Sequence, residues 1–524
     1  MPDSPPLEVE LKLETTTDAM EKLLASPLLR EHARSTIRSR QLVTTYYDTQ
    51  DHRLGRRKLA LRVRQNGRSF VQTLKTEGTG EGAATRRGEW EVELPDGTPR
   101  LAAFTDPAVR ELTGLVLPDE LTPVFETRFR RQALVVEWVD GSRIPAQIEV
   151  ALDRGAVRAG EREAPIREVE LELKQGDPRA LFELAEAMHE LVPLRLLALD
   201  KATRGYMLAT DSPPPWRKAR PVTLSPDMLV DDALQTVLGA CLRHWIDNEA
   251  AARDGRDPEG LHQLRVALRR LRSAMSLFRP ALGEEVRAGW NEELRWLLGS
   301  LGPARDLDVL ASEIMAPVCA ARPDDPALAA FAAAAAERRQ EAQRVVREAL
   351  ASDRYGSLAL RLACWVARRG WRQGADVDVL LVQRQPVAGF AAAILEKRHR
   401  RVRKKGRGFA RLDPERRHEL RIAFKKLRYG AEFFGSLFPE KRVERFRKVT
   451  ARMQDILGHL NDVAVAERLA RDVLEHARSG FEPKDAALGA GQVIGWHLRQ
   501  AGEREPEAMR AWKAFRAVEP FWEN

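Results

Sequence analysis

From residue 7 to about 175, apolar and polar positions alternate with a period of two; from about 225 onward, apolar positions recur every three or four residues. The first period is that of a strand, whose successive side chains point to opposite faces, and the second is one face of a helix. The pattern predicts an α+β multidomain chain, with strands first and helices after. The first strand shows it most plainly. In Leu7-Glu8-Val9-Glu10-Leu11-Lys12-Leu13-Glu14 all the apolar side chains fall on one face and all the charged ones on the other. An ordinary half-buried strand reads the same way, with its charges in solvent. The habit recurs, however. Arg62 and Arg64 share a face, and Lys75 follows on the next strand. Arg87 is in phase with Glu89, Thr127 with Arg131, Glu149 with Asp153, and Glu168 with Glu170 and Glu172. Some of these strands are dominated by carboxylates and others by cations, which exposure to water does not require.

Phosphoanhydride handling needs both kinds of face. Carboxylate clusters hold hard divalent cations, and arginine and lysine clamp phosphate oxygens. After the strands, Asp211-Ser212-Pro213-Pro214-Pro215-Trp216, continuing to Pro221, is proline-rich and without periodicity, which predicts a semi-rigid linker.

The helical remainder carries a duplication. Leu261-His262-Gln263-Leu264-Arg265 through Arg272 is matched by Arg417-His418-Glu419-Leu420-Arg421 through Arg428 at a constant offset of 156. The same offset relates Phe278 to Phe434, Gly302 to Gly458 and Asp306 to Asp462. Two copies of one helical bundle are expected. In each copy the basic residues share a narrow helix face: His262, Arg265, Arg269 and Arg272 in one, His418, Arg421, Lys425 and Arg428 in the other. A basic face is commonly just a solvated one, but two copies of the same face point to a polyanion. Asp306 and Asp462 are candidates to orient these arginines.

Composition sharpens this. The chain of 524 residues carries a formal net charge of +9, which favours polyanionic partners, and its aromatic content of 6% is thin for base stacking. The run from Lys397 to Arg411 is strongly basic, but no recognised nucleic-acid motif accompanies it. Cys241, Cys319 and Cys364 form no metal-ligand spacing and suggest a reducing compartment. No secretory signal or membrane-spanning run is apparent in the residues given.

Glu8-Val9-Glu10-Leu11-Lys12 resembles the ExExK signature of the CYTH domain, the triphosphate tunnel metalloenzymes. The similarity extends in order through Tyr46-Tyr47-Asp48-Thr49, Leu61-Arg62-Val63-Arg64, Lys75, Arg87, Arg131, Asp153, Glu168 with Glu170, and Lys201 with Arg204-Gly205-Tyr206. The paired helical motif, with Leu301-Gly302-Pro303-Ala304-Arg305-Asp306 and Leu457-Gly458-His459-Leu460-Asn461-Asp462, resembles the CHAD domain. These resemblances imply an N-terminal eight-stranded antiparallel tunnel over 1–208, a linker over 209–224, and a CHAD domain over 225–524 with repeat cores at about 228–380 and 384–520. Carried over, they make Glu8, Glu10 and Glu170 ligands of Mg²⁺ or Mn²⁺, with Lys12, Glu168 and Asp153 as catalytic groups. Arg62, Arg64, Lys75, Arg87, Arg131, Lys201 and Arg204 would bind triphosphate. His262, Arg265, Arg269, Arg272, His418, Arg421, Lys425 and Arg428 would bind polyphosphate. The activity implied is that of an inorganic triphosphatase, resembling bacterial CYTH–CHAD enzymes. The alternatives are a non-enzymatic polyphosphate-granule binding protein and a tunnel enzyme for thiamine triphosphate or a nucleoside triphosphate. The expected setting is cytoplasmic, with granule association and a homodimer left open, and with nucleic acid and membrane not favoured as partners.

Overall fold

The computed structural model describes residues 8–77, 84–114, 116–139, 144–476 and 483–523. Its N-terminal part is an antiparallel sheet of ten strands: β1 (Glu8–Glu14), β2 (Arg38–Asp48), β3 (Leu59–Asn66), β4 (Ser69–Thr76), β5 (Thr85–Arg87), β6 (Glu89–Leu94), β7 (Thr122–Val139), β8 (Pro145–Ala159), β9 (Arg162–Gln175) and β10 (Arg195–Leu196). Pairing follows the order β10-β1-β9-β8-β7-β2-β3-β4-β6, and β5 pairs with β1. The expectation of an eight-stranded tunnel is corrected here. Among the described residues the path of hydrogen-bonded strands does not close between β6 and β10, and the count is higher for two local reasons. Gly88 interrupts one extended segment, so that Thr85–Arg87 pairs with β1 while Glu89–Leu94 pairs with β4. Arg195–Leu196 then adds a two-residue pairing at the end of β1.

Side chains of one parity make a buried apolar cluster at one place on the inner face: Leu42, Tyr46, Phe125, Phe129, Val157, Ala159 and Ile166. The helix Lys201–Thr210 packs onto this cluster through Ala202, Tyr206 and Ala209. Its approach requires a glycine at 205, because a Cβ there would lie 2.0 Å from Cε2 of Phe125. Asp48, wholly buried, anchors the following turn. It accepts from the backbone N–H of Thr49 at 2.7 Å, Leu54 at 2.9 Å and Gly55 at 2.8 Å, and from the Tyr206 hydroxyl at 2.8 Å. Motif residues 46–49 and 204–206 are thus parts of one packing unit.

By compactness the chain divides into two units. The first holds residues 1–217, 246–256 and 351–370, and the second holds 218–245, 257–350 and 371–524. In the first unit, the helix Asp353–Ala367 lies against the helix Arg179–Leu191, and the Cys364 thiol donates to the carbonyl of Phe182 at 3.2 Å. The second unit is helical, and its helix starts recur at one spacing. Pro258–Leu277 and Pro414–Phe434 both open on an aspartate cap followed by proline, Asp257 and Asp413. Glu284–Val309 and Glu440–Glu475 begin at the same separation. An aspartate cap satisfies a free N–H of the first turn, and proline suits the first helical position, so identical starts follow from identical local sequence. Among the described residues no helix is long and apolar enough to cross a membrane.

The Gly205 contact gives a direct test. Gly205→Ala should lower stability by about 1–3 kcal/mol, the usual penalty of overpacking a tight contact. A urea midpoint no lower than that of wild type would show that the helix does not need this close approach.

Candidate functional site

The strand register brings the charged positions of the inner face together. β9 sets Glu170 opposite Lys12 of β1, β8 sets Asp153 opposite Glu168 of β9, and β7 sets Arg131 opposite Asp153. Carboxylate oxygens of Asp153, Glu168 and Glu170 come within 4.8 Å of one another, with Asp153 and Glu168 wholly buried. Three carboxylates this close require positive charge, since like charges at such range oppose one another's ionisation.

Four cations answer them among the described residues. The Lys201 ammonium, entering from its helix, donates to Glu168 at 2.5 Å and to Glu170 at 2.8 Å, and it lies 2.9 Å from Asp153. Arg131 donates to Asp153 through Nε and Nη2, each at 2.7 Å, and also to Glu170. Lys12 donates to Glu170 at 2.8 Å and lies 2.9 Å from Glu10. Burial opposes ionisation of Glu170, yet Lys12, Lys201 and Arg131 hold its carboxyl well below the usual carboxylate range. Burial likewise opposes charge on Lys201, and Glu168, Glu170 and Asp153 overcome it and raise its affinity for a proton. Arg204, next on the same helix face, donates to Glu168.

A second group of cations lies on β3 and β4. Lys75 donates to Glu89 at 2.5 Å, and Arg62 donates to the same carboxylate at 3.3 Å. Arg64 lies beside them, and its buried Nε has no hydrogen-bond partner among the described residues. The charges of Arg62, together with burial and Arg131, push its guanidinium down to about 10. A guanidinium held among other guanidiniums is a place made for an anion.

Glu10, Lys12, Arg62, Arg64, Lys75, Arg131, Asp153, Glu168, Glu170, Lys201 and Arg204 are thus brought into these two groups. Lys201 and Arg204, expected on the phosphate side, face carboxylates. The side chains of Glu8 and Arg87 lie outside the described residues; their backbones pair with one another across β1 and β5. Glu89 was in phase with Arg87 in the sequence but carried no assigned role, and the structure makes it the counterion of Arg62 and Lys75. As to metal, Asp153, Glu168 and Glu170 offer clustered hard oxygen donors and Glu10 lies across Lys12 from Glu170, a donor set that fits Mg²⁺ or Mn²⁺.

In the helical unit, the Pro258–Leu277 and Pro414–Phe434 helices pack on each other. Their basic faces meet around Lys425. Burial, then the charges of Arg421, Arg269, Arg428 and Arg265, push its ammonium down to about 7. Arg265 is pushed down to about 10 by burial and Arg269, although Nη1 donates to the Leu298 carbonyl at 2.9 Å. His262 is lowered by burial and by Arg305. Arg272 belongs to a different neighbourhood, shared by Lys426, Arg398, Arg401 and Lys405. Arg305, Arg398, Arg401 and Lys426 therefore join residues found from sequence; their part depends on how helices pack, which spacing along one helix does not reveal. Asp306 pairs with Arg468 at 2.8 Å, and its charge also acts on Arg265 of the basic face. The side chain of Asp462 lies outside the described residues.

A lysine at about 7 in the folded chain and 10.5 when unfolded makes stability depend on pH. Between those values the unfolded chain binds a proton that the native chain lacks, so native stability rises with pH across that window. The urea midpoint of wild type should rise from pH 7 to pH 10 more steeply than that of Lys425→Met. Equal slopes would show that Lys425 is not under this repulsion.

Two family models match the chain: CYTH domain over residues 6–206 and CHAD domain over residues 236–471. Over 211 residues the chain is 35% identical to an inorganic triphosphatase of Haemophilus influenzae, a match covering 39% of this chain and 55% of that protein, so the chain spans about half the length of this relative. An uncharacterized protein of Mycobacterium tuberculosis is 26% identical over 485 residues, 84% of each chain. The crystal structure of the CHAD domain from the plant Ricinus communis superposes with a TM-score of 0.50 at 30% identity, covering 58% of this chain and 98% of that one. With both signatures read in order along the sequence and both models matched to them, the chain carries a CYTH domain followed by a CHAD domain.

Proposed function

We propose that the sheet domain hydrolyses inorganic triphosphate to pyrophosphate and phosphate, and that the helical domain, as a pair of duplicated bundles, binds long inorganic polyphosphate. The observation that carries the first part is the pairing of opposites in one interior: Arg64, with an unpartnered buried Nε beside Arg62 and Arg131, and a carboxylate cluster a few strands away. A polyanion that brings its own divalent cations satisfies both halves at once. Similarity to an inorganic triphosphatase supports the same reading.

In this reading Glu8, Glu10 and Glu170 hold Mg²⁺ or Mn²⁺, which supplies polarisation of a phosphoryl oxygen. Arg62, Arg64, Lys75, Arg87 and Arg131 grip the phosphates. Asp153 and Glu168 orient the attacking water and accept its proton, while Lys12 and Lys201 keep the carboxylates ionised until substrate arrives. Arg204 fixes Glu168. On the helical domain, the cations gathered around Lys425 contact the polymer, and the protein works in the cytoplasm near polyphosphate granules.

Phosphate release should be measured from tripolyphosphate with Mg²⁺ or Mn²⁺, beside ATP, thiamine triphosphate and long polyphosphate. Wild type should prefer tripolyphosphate, and Glu170→Gln and Arg64→Ala should each lose at least about 100-fold, the scale of removing one group that stabilises developing charge. No release from any substrate, with polyphosphate still bound tightly, would instead favour a binding protein.

The helical site makes a separate prediction. A polyanion laid on Lys425 restores its affinity for a proton, so binding at pH 8 should take up protons from solution. Calorimetry in buffers of different ionisation enthalpy should show this uptake, and Lys425→Met should reduce it. Uptake unchanged in the variant would place the polymer elsewhere.

A further inference from the structure

On the inner face of the sheet, Thr44 of β2 stands opposite Thr127 of β7, and Arg64 of β3 stands opposite Thr44. Both threonines are 1% exposed, and neither hydroxyl has a hydrogen-bond partner among the described residues; nor does Arg64 Nε. A buried polar group without a partner has lost its hydration with nothing in return. Here three of them lie in one row across three adjacent strands, at a spacing of about 5 Å from strand to strand.

The surroundings explain why no protein group answers them. The in-phase neighbours along β2 and β7 are Leu42 and Phe129 on one side, Tyr46 and Phe125 on the other, all in one buried apolar cluster. Of these four side chains only Tyr46 carries a polar atom, and its hydroxyl makes no hydrogen bond to either threonine or to Arg64 Nε. Two hydroxyls and a guanidinium N–H can all donate, and the group that only accepts, with several oxygens at short spacing, is a tetrahedral oxyanion. Leu42, Phe125 and Phe129 flank the row with apolar surface.

We infer that Thr44, Thr127 and Arg64 form a subsite for the terminal phosphoryl group of a linear phosphate chain. The inference rests on the triphosphate reading above and adds the recognition of a chain end. It makes the two threonines substrate-binding residues rather than parts of the core.

Thr→Val keeps the shape of the side chain and removes the hydroxyl, which gives the test a sign. A structural hydroxyl would cost stability when removed. An unpartnered one, waiting for substrate, should leave the urea midpoint of the free protein unchanged or raised. Tripolyphosphate should be titrated calorimetrically into wild type, Thr44→Val, Thr127→Val, Thr44→Ser and Arg64→Ala, all as the full chain. The Val variants should bind about 10–100-fold more weakly, as expected for a lost hydrogen bond to a charged group, and Thr44→Ser should bind like wild type. Trimetaphosphate, a ring with no terminal phosphoryl group, should bind weakly and equally to wild type and the Val variants. If wild type binds tripolyphosphate and Arg64→Ala does not, but the Val variants match wild type, the subsite is wrong and the triphosphate reading stands; a buried water then accounts for the hydroxyls. If wild type fails to bind tripolyphosphate, both are overturned. Trimetaphosphate binding that is tight and weakened by Thr→Val would overturn the chain-end assignment.

Discussion

Three carboxylates from two neighbouring strands, Asp153, Glu168 and Glu170, are buried within 4.8 Å of one another, and the rest of the sheet domain is arranged to make that tolerable. Charge in a protein interior persists only when paired and hydrogen-bonded, and removing one partner of such a pair leaves a strongly destabilising remainder. Lys201, Arg131 and Lys12 supply the pairing from a helix and two strands. The helix that delivers Lys201 must approach closely, and Gly205 against Phe125 allows it. The turn anchored by Asp48 and Tyr206 then fixes that helix to β2. Site chemistry and core packing are thus one set of constraints.

The same physics is used with opposite sign in the helical domain. There, the charges that act most on Lys425 are all cationic, and it bears the consequence in a lowered affinity for its proton. Within the sheet, Arg64 is the corresponding group. In both places the free protein carries repulsion that an anionic ligand relieves, and ligand binding is favoured by the amount of that relief. The proposed function draws on that relief in both domains, although their folds share nothing.

Which side of a strand a residue occupies is a local property, so the shared inner face of Glu10 and Lys12, of Arg62 and Arg64, and of Glu168 and Glu170 was legible from alternation alone. The repeated helix starts at Pro258 and Pro414 were legible for the same reason, because cap and first turn are specified within a few residues. What was not legible is what depends on assembly. Lys201 lies 33 positions from Glu168, on a helix, and nothing in its own segment says that it enters the carboxylate cluster. Glu89 as counterion to Arg62 and Lys75 depends on the pairing of three strands. The break at Gly88 that sends one extended segment to two different partners, together with the two-residue pairing of Arg195–Leu196 on β1, turned an expected eight strands into ten. Thr44 and Thr127 are ordinary strand residues until register places them side by side with no acceptor.

The most direct measurement of the central claim is a crystal structure of the full chain with tripolyphosphate and Mn²⁺, the metal located by its anomalous scattering. The expected result is manganese at Glu170 and its neighbouring carboxylates, with phosphate oxygens on Arg62, Arg64 and Arg131. A structure in which Lys201 keeps its contacts with Glu168, Glu170 and Asp153, no manganese enters, and tripolyphosphate is found only on the helical domain would contradict it.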